Sequence, residues 1–168
     1  MPANCSFRSV VGGICSHDRR DRNKSTEIVP LLSCKRDISS HKSTWSISDV
    51  ECEVELILAR AAIFSTPDKI ASLTVCPFHR SSLGIGWCRG SNRCRVPNEI
   101  SNHGKGRWPK AERGLGKEAS QLILQKTGTF LPLGSGKTNC YLSNSFSFIG
   151  KAACFNMYVP THPPTPPS

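Results

Sequence analysis

Two pairs of cysteine and histidine residues near the middle of the chain have the chemistry of metal ligands. Cys76 and His79 are separated by two residues, and Cys94 and His103 follow within the next 24 positions. Thiolate sulfur and imidazole nitrogen are preferred ligands of Zn²⁺, and two such pairs can close a tetrahedral site around it. The sequence therefore predicts a zinc site formed by Cys76, His79, Cys94 and His103.

A fifth residue competes for a place in this site. Cys88 and Cys94 are separated by five residues, so they could supply both sulfurs of the second pair and leave His103 outside. We therefore expect Cys88 to be the alternative ligand. A simpler interpretation of the same residues is a mixture of buried cysteines and surface histidines that binds no metal.

The other cysteines of the N-terminal half are expected to be free thiols. The separations of Cys5, Cys15 and Cys34 match no compact metal-binding motif, and Cys52 is expected to be a small buried side chain. The N-terminus lacks the apolar stretch of about 7–15 residues of a secretory signal. No run approaches the ~18 apolar residues of a membrane span. We therefore expect an intracellular protein, nuclear or cytoplasmic, whose reduced thiols favour zinc over disulfides.

The positive charge of the chain is concentrated around the predicted ligands. The net charge is +10, and residues 80–117 hold nine Lys or Arg side chains against two acidic ones. Basic side chains interleaved with tryptophan favour contacts to phosphates together with base stacking. The residues predicted to bind nucleic acid, with little sequence specificity, are Arg80, Arg89, Arg93, Arg95, Arg107, Lys110, Trp87 and Trp108. The alternatives are a protein-interaction adaptor, a solvated loop surface, or a predicted protein with no retained function.

Catalysis and nucleotide binding are not expected. Residues 134–138 read Gly-Ser-Gly-Lys-Thr, like the end of a phosphate-binding loop, but Leu131 stands where that motif requires its first glycine. No helix signal follows Thr138 to supply aligned N–H donors. Cysteine and histidine are abundant, yet no local context marks an activated nucleophile. The predicted partners are nucleic acid or another protein, without a membrane.

The predicted core is small, since aromatic residues make up 7% of the chain and 13 Gly and 12 Pro interrupt it. Residues 1–47 lack hydrophobic periodicity and are predicted to be disordered, residues 48–136 to form a Cys/His-rich helical module, and residues 137–168 to be a weakly ordered, Pro-rich tail. Helices are predicted over about 49–64, capped by Ser48, over about 67–73, and over about 117–126. The fold class is therefore small and irregular, mainly α, with a metal-stapled module between disordered flanks.

Several short stretches resemble one uncharacterised family. These are residues 73–80, 83–87, 93–94, 103–104, 113–114 and 131–136. They are similar to a Cys/His-rich module of predicted animal proteins, and the resemblance covers about residues 50–136. It implies a domain boundary and no known activity. The family pattern continues with further cysteines after residue 136, whereas this chain departs from it, which argues against a second metal site and indicates a truncated or alternative C-terminus.

Overall fold

The computed structural model describes residues 3–101, 103 and 108–138. Within those residues the chain forms five α-helices: α1 (Arg8–Val11), α2 (Ser39–Trp45), α3 (Glu53–Arg60), α4 (Pro77–Leu83) and α5 (Lys117–Thr127). Two short 3-10 helices span Leu31–Ser33 and Ile70–Ser72. No helix in the described part of the chain is long and apolar enough to cross a membrane. The predicted Pro-rich tail lies outside the described residues from 139 onward.

Two small antiparallel sheets complete the fold. Strand β1 (Val29–Pro30) pairs with β2 (Thr74–Val75), with Val29 opposite Val75. Strand β3 (Arg113–Gly114) pairs with β4 (Gly136–Lys137), with Gly114 opposite Gly136. Both sheets join segments that are distant along the chain. The prediction of a mainly α fold is therefore only partly confirmed.

Helix α3 begins later than the sequence predicts. Ser48 gives no side-chain cap to this helix, whose N-cap is Cys52. The carboxylate of Asp49 instead accepts hydrogen bonds from the backbone N–H groups of Lys117 and Glu118, at 2.8 and 3.1 Å. These are the free N–H groups of the first turn of α5, which a carboxylate stabilises. Asp49, which was expected to begin α3, therefore caps the N-terminus of α5 through a long-range contact.

Helix α5 matches its prediction closely. It ends at Thr127, and Gly128 follows with φ of 71°, the left-handed conformation that glycine adopts without steric cost. The short helix predicted over about 67–73 is reduced to the 3-10 helix Ile70–Ser72. Ala119 and Ile123 on α5 are buried, as the hydrophobic pattern of this helix predicts.

The N-terminal segment, residues 3–34, packs into the core although its sequence favours disorder. Phe7 and Leu31 are fully buried and share one apolar cluster with Ile57 of α3 and Val75 of β2. Phe7 is isolated among polar residues and Leu31 lies in the short apolar run 28–32, so neither follows a helical or strand period over a longer stretch. Their burial depends on contacts with residues more than 20 positions away, which a local pattern does not record.

A buried arginine ties four segments of the fold together. Arg60, at the end of α3, donates to the carbonyl oxygens of Leu83, Gly84 and Leu133 at 3.2, 2.7 and 3.1 Å. It also donates to Nε2 of His41 in α2, at 2.8 Å. Burial lowers the pKa of Arg60 to about 9, and burial with the Arg60 charge lowers the pKa of His41 to about 4. Arg60 is therefore charged and His41 neutral at pH 7.

Gly114 in β3 is required by close packing of the backbone. A Cβ atom at this position would overlap the carbonyl oxygen of Trp45. We expect Gly114→Ala to lower the free energy of unfolding by about 1–3 kcal/mol, because an inserted methyl group would displace the backbone. Gly90→Ala is the matched control, since its Cβ would meet nothing within 4 Å. Denaturant unfolding measures both, and equal stability of the two variants would contradict the close approach.

Candidate metal centre

Four potential metal ligands meet where the N-terminal segment contacts the start of α4. The ligand atoms of Cys5, Cys15, Cys76 and His79 all lie within 4.8 Å of one another. Cys5, Cys76 and His79 are almost fully buried, and Cys15 is half-buried. A Cys₃His set of this kind could hold a metal ion.

The first turn of α4 brings Cys76 and His79 together. Cys76 is the N-cap residue, and its sulfur accepts a hydrogen bond from the backbone N–H of His79 at 3.4 Å. Pro77 occupies the first helical position, which suits its fixed φ. The helical turn then places Nδ1 of His79 3.1 Å from Sγ of Cys76. These two residues were predicted to be close together from their spacing alone. The structure shows that the first turn of a helix produces this proximity.

Backbone hydrogen bonds place Cys5 and Cys15 on either side of this turn. Next to Cys5, the N–H of Ser6 donates to the carbonyl oxygen of Thr74 at 3.0 Å. Next to Cys15, the carbonyl oxygen of Ser16 accepts from the N–H of Phe78, also at 3.0 Å. The segment between residues 5 and 15 is therefore fixed at both ends to the chain around α4.

The imidazole of His79 is oriented by a backbone carbonyl. Nε2 lies 2.9 Å from the carbonyl oxygen of Gly12, which can only accept, so Nε2 carries the proton. Nδ1 is then the free nitrogen, and it faces the sulfurs of Cys5, Cys76 and Cys15 at 3.2, 3.1 and 3.9 Å. A metal-binding histidine is commonly fixed in this way by a hydrogen bond from its second nitrogen.

Burial and hydrogen bonding act differently on the thiols of Cys76 and Cys15. Burial raises the pKa of Cys76 to about 11, which disfavours its thiolate. Burial also acts against the thiolate of Cys15, but hydrogen bonds from Cys5 and Cys76 outweigh it and lower the pKa of Cys15. A bound divalent cation would attract negatively charged sulfur and so favour the thiolate form of its cysteine ligands.

The structure does not bring the other predicted ligands to this cluster. Cys94 is buried in a separate apolar cluster with Leu115 and Ile123, and Cys88 is exposed. Nε2 of His103 is buried and has no hydrogen-bond partner among the described residues. Cys5 and Cys15, which were expected to be free thiols outside the site, instead lie in the cluster with Cys76 and His79. None of the seven cysteines in the described part of the chain forms a disulfide.

Three of the residues predicted to bind nucleic acid are engaged inside the fold. Arg80 forms a bidentate ion pair with the buried Glu53, at 2.8 and 2.9 Å. Nε of Arg89 donates to the carbonyl oxygen of Gly134 at 2.7 Å. The ring of Trp87 packs edge-on against Trp45 and beneath the guanidinium of Arg60, 4.3 Å from its centroid. These contacts give the three side chains structural roles.

The remaining predicted contacts lie on the surface. Arg93, Arg95, Lys110 and Trp108 are exposed, and 43% of Trp108 is accessible to solvent. Arg107 lies outside the described residues. The predicted basic surface is therefore smaller than the sequence suggests, and its exposed part centres on residues 93–95 and 108–110.

Comparison of the chain with family models, with curated proteins and with solved structures gives no match.

Proposed function

We propose that this protein is a zinc-stapled binding module, in which Zn²⁺ is held by Cys5, Cys15, Cys76 and His79. The observation that carries the proposal is the convergence of these four ligand atoms within 4.8 Å. Zinc bound at its usual distances separates neighbouring sulfur and nitrogen ligands by about 3.5 Å and sulfur pairs by about 3.8 Å. The distances from the three sulfurs to Nδ1, 3.1, 3.2 and 3.9 Å, bracket the first of these values.

The donor set favours zinc and a structural role. Three thiolates and one imidazole are soft or borderline ligands, which hard cations such as Mg²⁺ and Ca²⁺ disfavour. Four protein ligands fill a tetrahedral shell and leave no open position for water or substrate. The metal would therefore hold the N-terminal segment against α4 without performing chemistry.

Ligand substitution tests this assignment directly. We expect Cys15→Ser to lower zinc affinity by at least about 10-fold, because serine keeps the size of the side chain and loses the thiolate. Cys88→Ser and Cys94→Ser are matched controls, since neither sulfur is in the cluster. Zinc content of the reduced protein and competition with a chromogenic chelator measure the effect. Stoichiometric zinc in Cys15→Ser combined with its loss in Cys94→Ser would contradict the assignment.

We also propose that the module binds nucleic acid, with little sequence specificity, through its exposed basic side chains. The supporting observation is that Arg93, Arg95 and Lys110 are exposed together beside Trp108. The ion pairs formed among the described residues, Arg80–Glu53 and Lys117–Glu55, do not involve these cations. Their charge is therefore available to phosphate groups.

Salt dependence tests the nucleic-acid proposal. Affinity for a mixed-sequence oligonucleotide should fall with rising salt, and the double variant Arg93→Gln/Arg95→Gln should flatten the log–log slope by about 1.4 for a single strand, because two counterion-releasing contacts are lost. Lys35→Gln, which removes an exposed charge elsewhere, should leave the slope unchanged. Fluorescence anisotropy measures both. Failure of single- and double-stranded oligonucleotides to bind at low salt would refute this part of the proposal.

A protein-interaction role is the alternative, and one surface feature favours it. Val10 and Val11 at the end of α1, and Ile14 just after it, are exposed by 52%, 42% and 73% on the segment between Cys5 and Cys15. Exposed apolar side chains close together in the chain are a common feature of contact surfaces. The adaptor role would take first place if the oligonucleotide titrations failed.

A further inference from the structure

The segment that carries Arg93 and Arg95 alternates between exposed and buried side chains. Arg93 and Arg95 are exposed, whereas Cys94 and Val96 are buried against Leu115 and Ile123. Alternate residues of an extended segment point to the same side. The two arginines therefore share one face, and the apolar side chains opposite anchor the segment to the core.

Neighbouring segments fix this face in position. Arg93 pairs with Lys110 in an antiparallel bridge, and the N–H of Cys94 donates to the carbonyl oxygen of Pro109 at 2.8 Å. On the other side the N–H of Arg95 donates to the carbonyl oxygen of Gly136, also at 2.8 Å. A guanidinium nitrogen of Arg93 further donates to the carbonyl oxygen of Trp108 at 3.3 Å. The arginines and the tryptophan are thus held side by side.

These side chains line one surface depression of ≈ 520 Å³. Trp108, Arg93 and Arg95 contribute an aromatic surface and two positive charges, and Pro97 and Leu131 add apolar walls. Asn98 and Glu99 also line it and supply hydrogen-bonding groups. A purely anionic ligand would meet the carboxylate of Glu99, whereas a planar ring with amino groups attached to a phosphate matches all of these features.

We infer that this depression binds an unpaired base of a single-stranded nucleic acid, with the base on Trp108 and its phosphates at Arg93 and Arg95. The inference rests on the nucleic-acid binding proposed above and specifies the form of nucleic acid recognised. A base in a duplex has both faces covered by its neighbours, so it cannot stack on a side chain without leaving the helix. Trp87 is less available for stacking, because the guanidinium of Arg60 lies over its ring and Trp45 packs against it edge-on.

The test compares a fluorescent single-stranded oligonucleotide, its duplex and a mononucleotide, using the zinc-bound full chain. We expect the single strand to bind more tightly than the other two. Trp108→Ala should weaken single-strand binding roughly 5- to 150-fold, the range observed when one stacking contact is removed. Trp108→Phe should retain most of the affinity, and neither substitution should change the salt slope. Duplex binding should be the same in all three proteins.

Several results would overturn the inference. If Trp108→Ala kept the zinc content and circular dichroism of the parent and its affinity for the single strand were unchanged, the proposed stacking contact would be refuted. Equal affinity for the duplex and the single strand would leave nucleic-acid binding in place and refute the preference for an unpaired base. Equal affinity for the mononucleotide and the oligonucleotide would refute a strand as the ligand. If the parent protein bound none of these nucleic acids at low salt, the broader nucleic-acid proposal would be refuted instead.

Discussion

Removal of the zinc ion proposed above from the reduced protein is expected to release the N-terminal segment, residues 3–34, from the rest of the fold. The proposed ion would join Cys5 and Cys15 to Cys76 and His79, at the start of α4. Structural zinc has an apparent binding free energy of about 10–16 kcal/mol in small zinc-dependent folds. The net stability of a domain is only about 5–15 kcal/mol. Chelation should therefore lower the free energy of unfolding by several kcal/mol.

Hydrogen exchange read by mass spectrometry locates the effect. Amides of residues 3–34 should lose protection on chelation, and those of α5 should lose less, because α5 packs in a separate apolar cluster around Leu115 and Ile123. Adding back one equivalent of Zn²⁺ should restore protection. Identical exchange in residues 3–34 before and after complete chelation would show that the metal does not hold this segment.

Replacing Arg60 by methionine is expected to destabilise the protein by about 2–6 kcal/mol, because buried carbonyl oxygens lose their hydrogen-bond donor. The substitution keeps much of the side-chain volume but leaves the carbonyl oxygens of Leu83 and Leu133 without their donor. The carbonyl oxygen of Gly84 loses one of two donors and keeps the N–H of Trp87, at 3.2 Å. Each buried carbonyl without a partner costs about 1–3 kcal/mol. Denaturant unfolding of the zinc-bound protein measures the change.

Two comparisons separate this effect from loss of charge. Arg60→Lys keeps the charge but cannot reproduce the planar donor fork, so it should lie between the parent and Arg60→Met. Arg95→Met, at an exposed position, should change stability by less than about 0.5 kcal/mol. Parent-like stability of Arg60→Met would show that water or a local rearrangement satisfies the carbonyl oxygens of Leu83 and Leu133.

The elements predictable from the sequence are those whose signals are local. Gly128 ends α5 where the pattern indicates. Helix α4 was not predicted, although Pro77 at its first position is also a local helix-start signal. The start of α3 was not predictable in this way. Asp49 was expected in the first turn of that helix, but its carboxylate accepts a hydrogen bond from the N-terminus of α5 instead. Competition between a local and a distant partner for the same carboxylate leaves no trace in periodicity.

The metal centre shows the same division between local and distant signals. Cys76 and His79 share one helical turn, and their spacing identifies them. Cys5 and Cys15 are nine residues apart and belong to no short motif. The glycine pair at residues 12–13, which lets the chain turn near His79, was the one available sign that this loop returns to α4. The exposed basic surface is smaller than the sequence suggests, because sequence alone does not distinguish a basic side chain that is paired within the fold, such as Arg80, from an exposed one.

The two halves of the candidate metal centre, Cys5 with Cys15 and Cys76 with His79, are far apart in the chain. This separation determines the order in which they are synthesised and can come together. Sixty residues separate Cys15 from Cys76, an interval that a ribosome crosses in roughly 3–12 s at about 5–20 residues per second. Throughout that time the two N-terminal thiols have left the ribosome ahead of their partners. Closing so long a loop also slows folding, because chain entropy is lost before the contact forms. The first cysteines to be made therefore cannot reach their final positions before Cys76 and His79 have been synthesised.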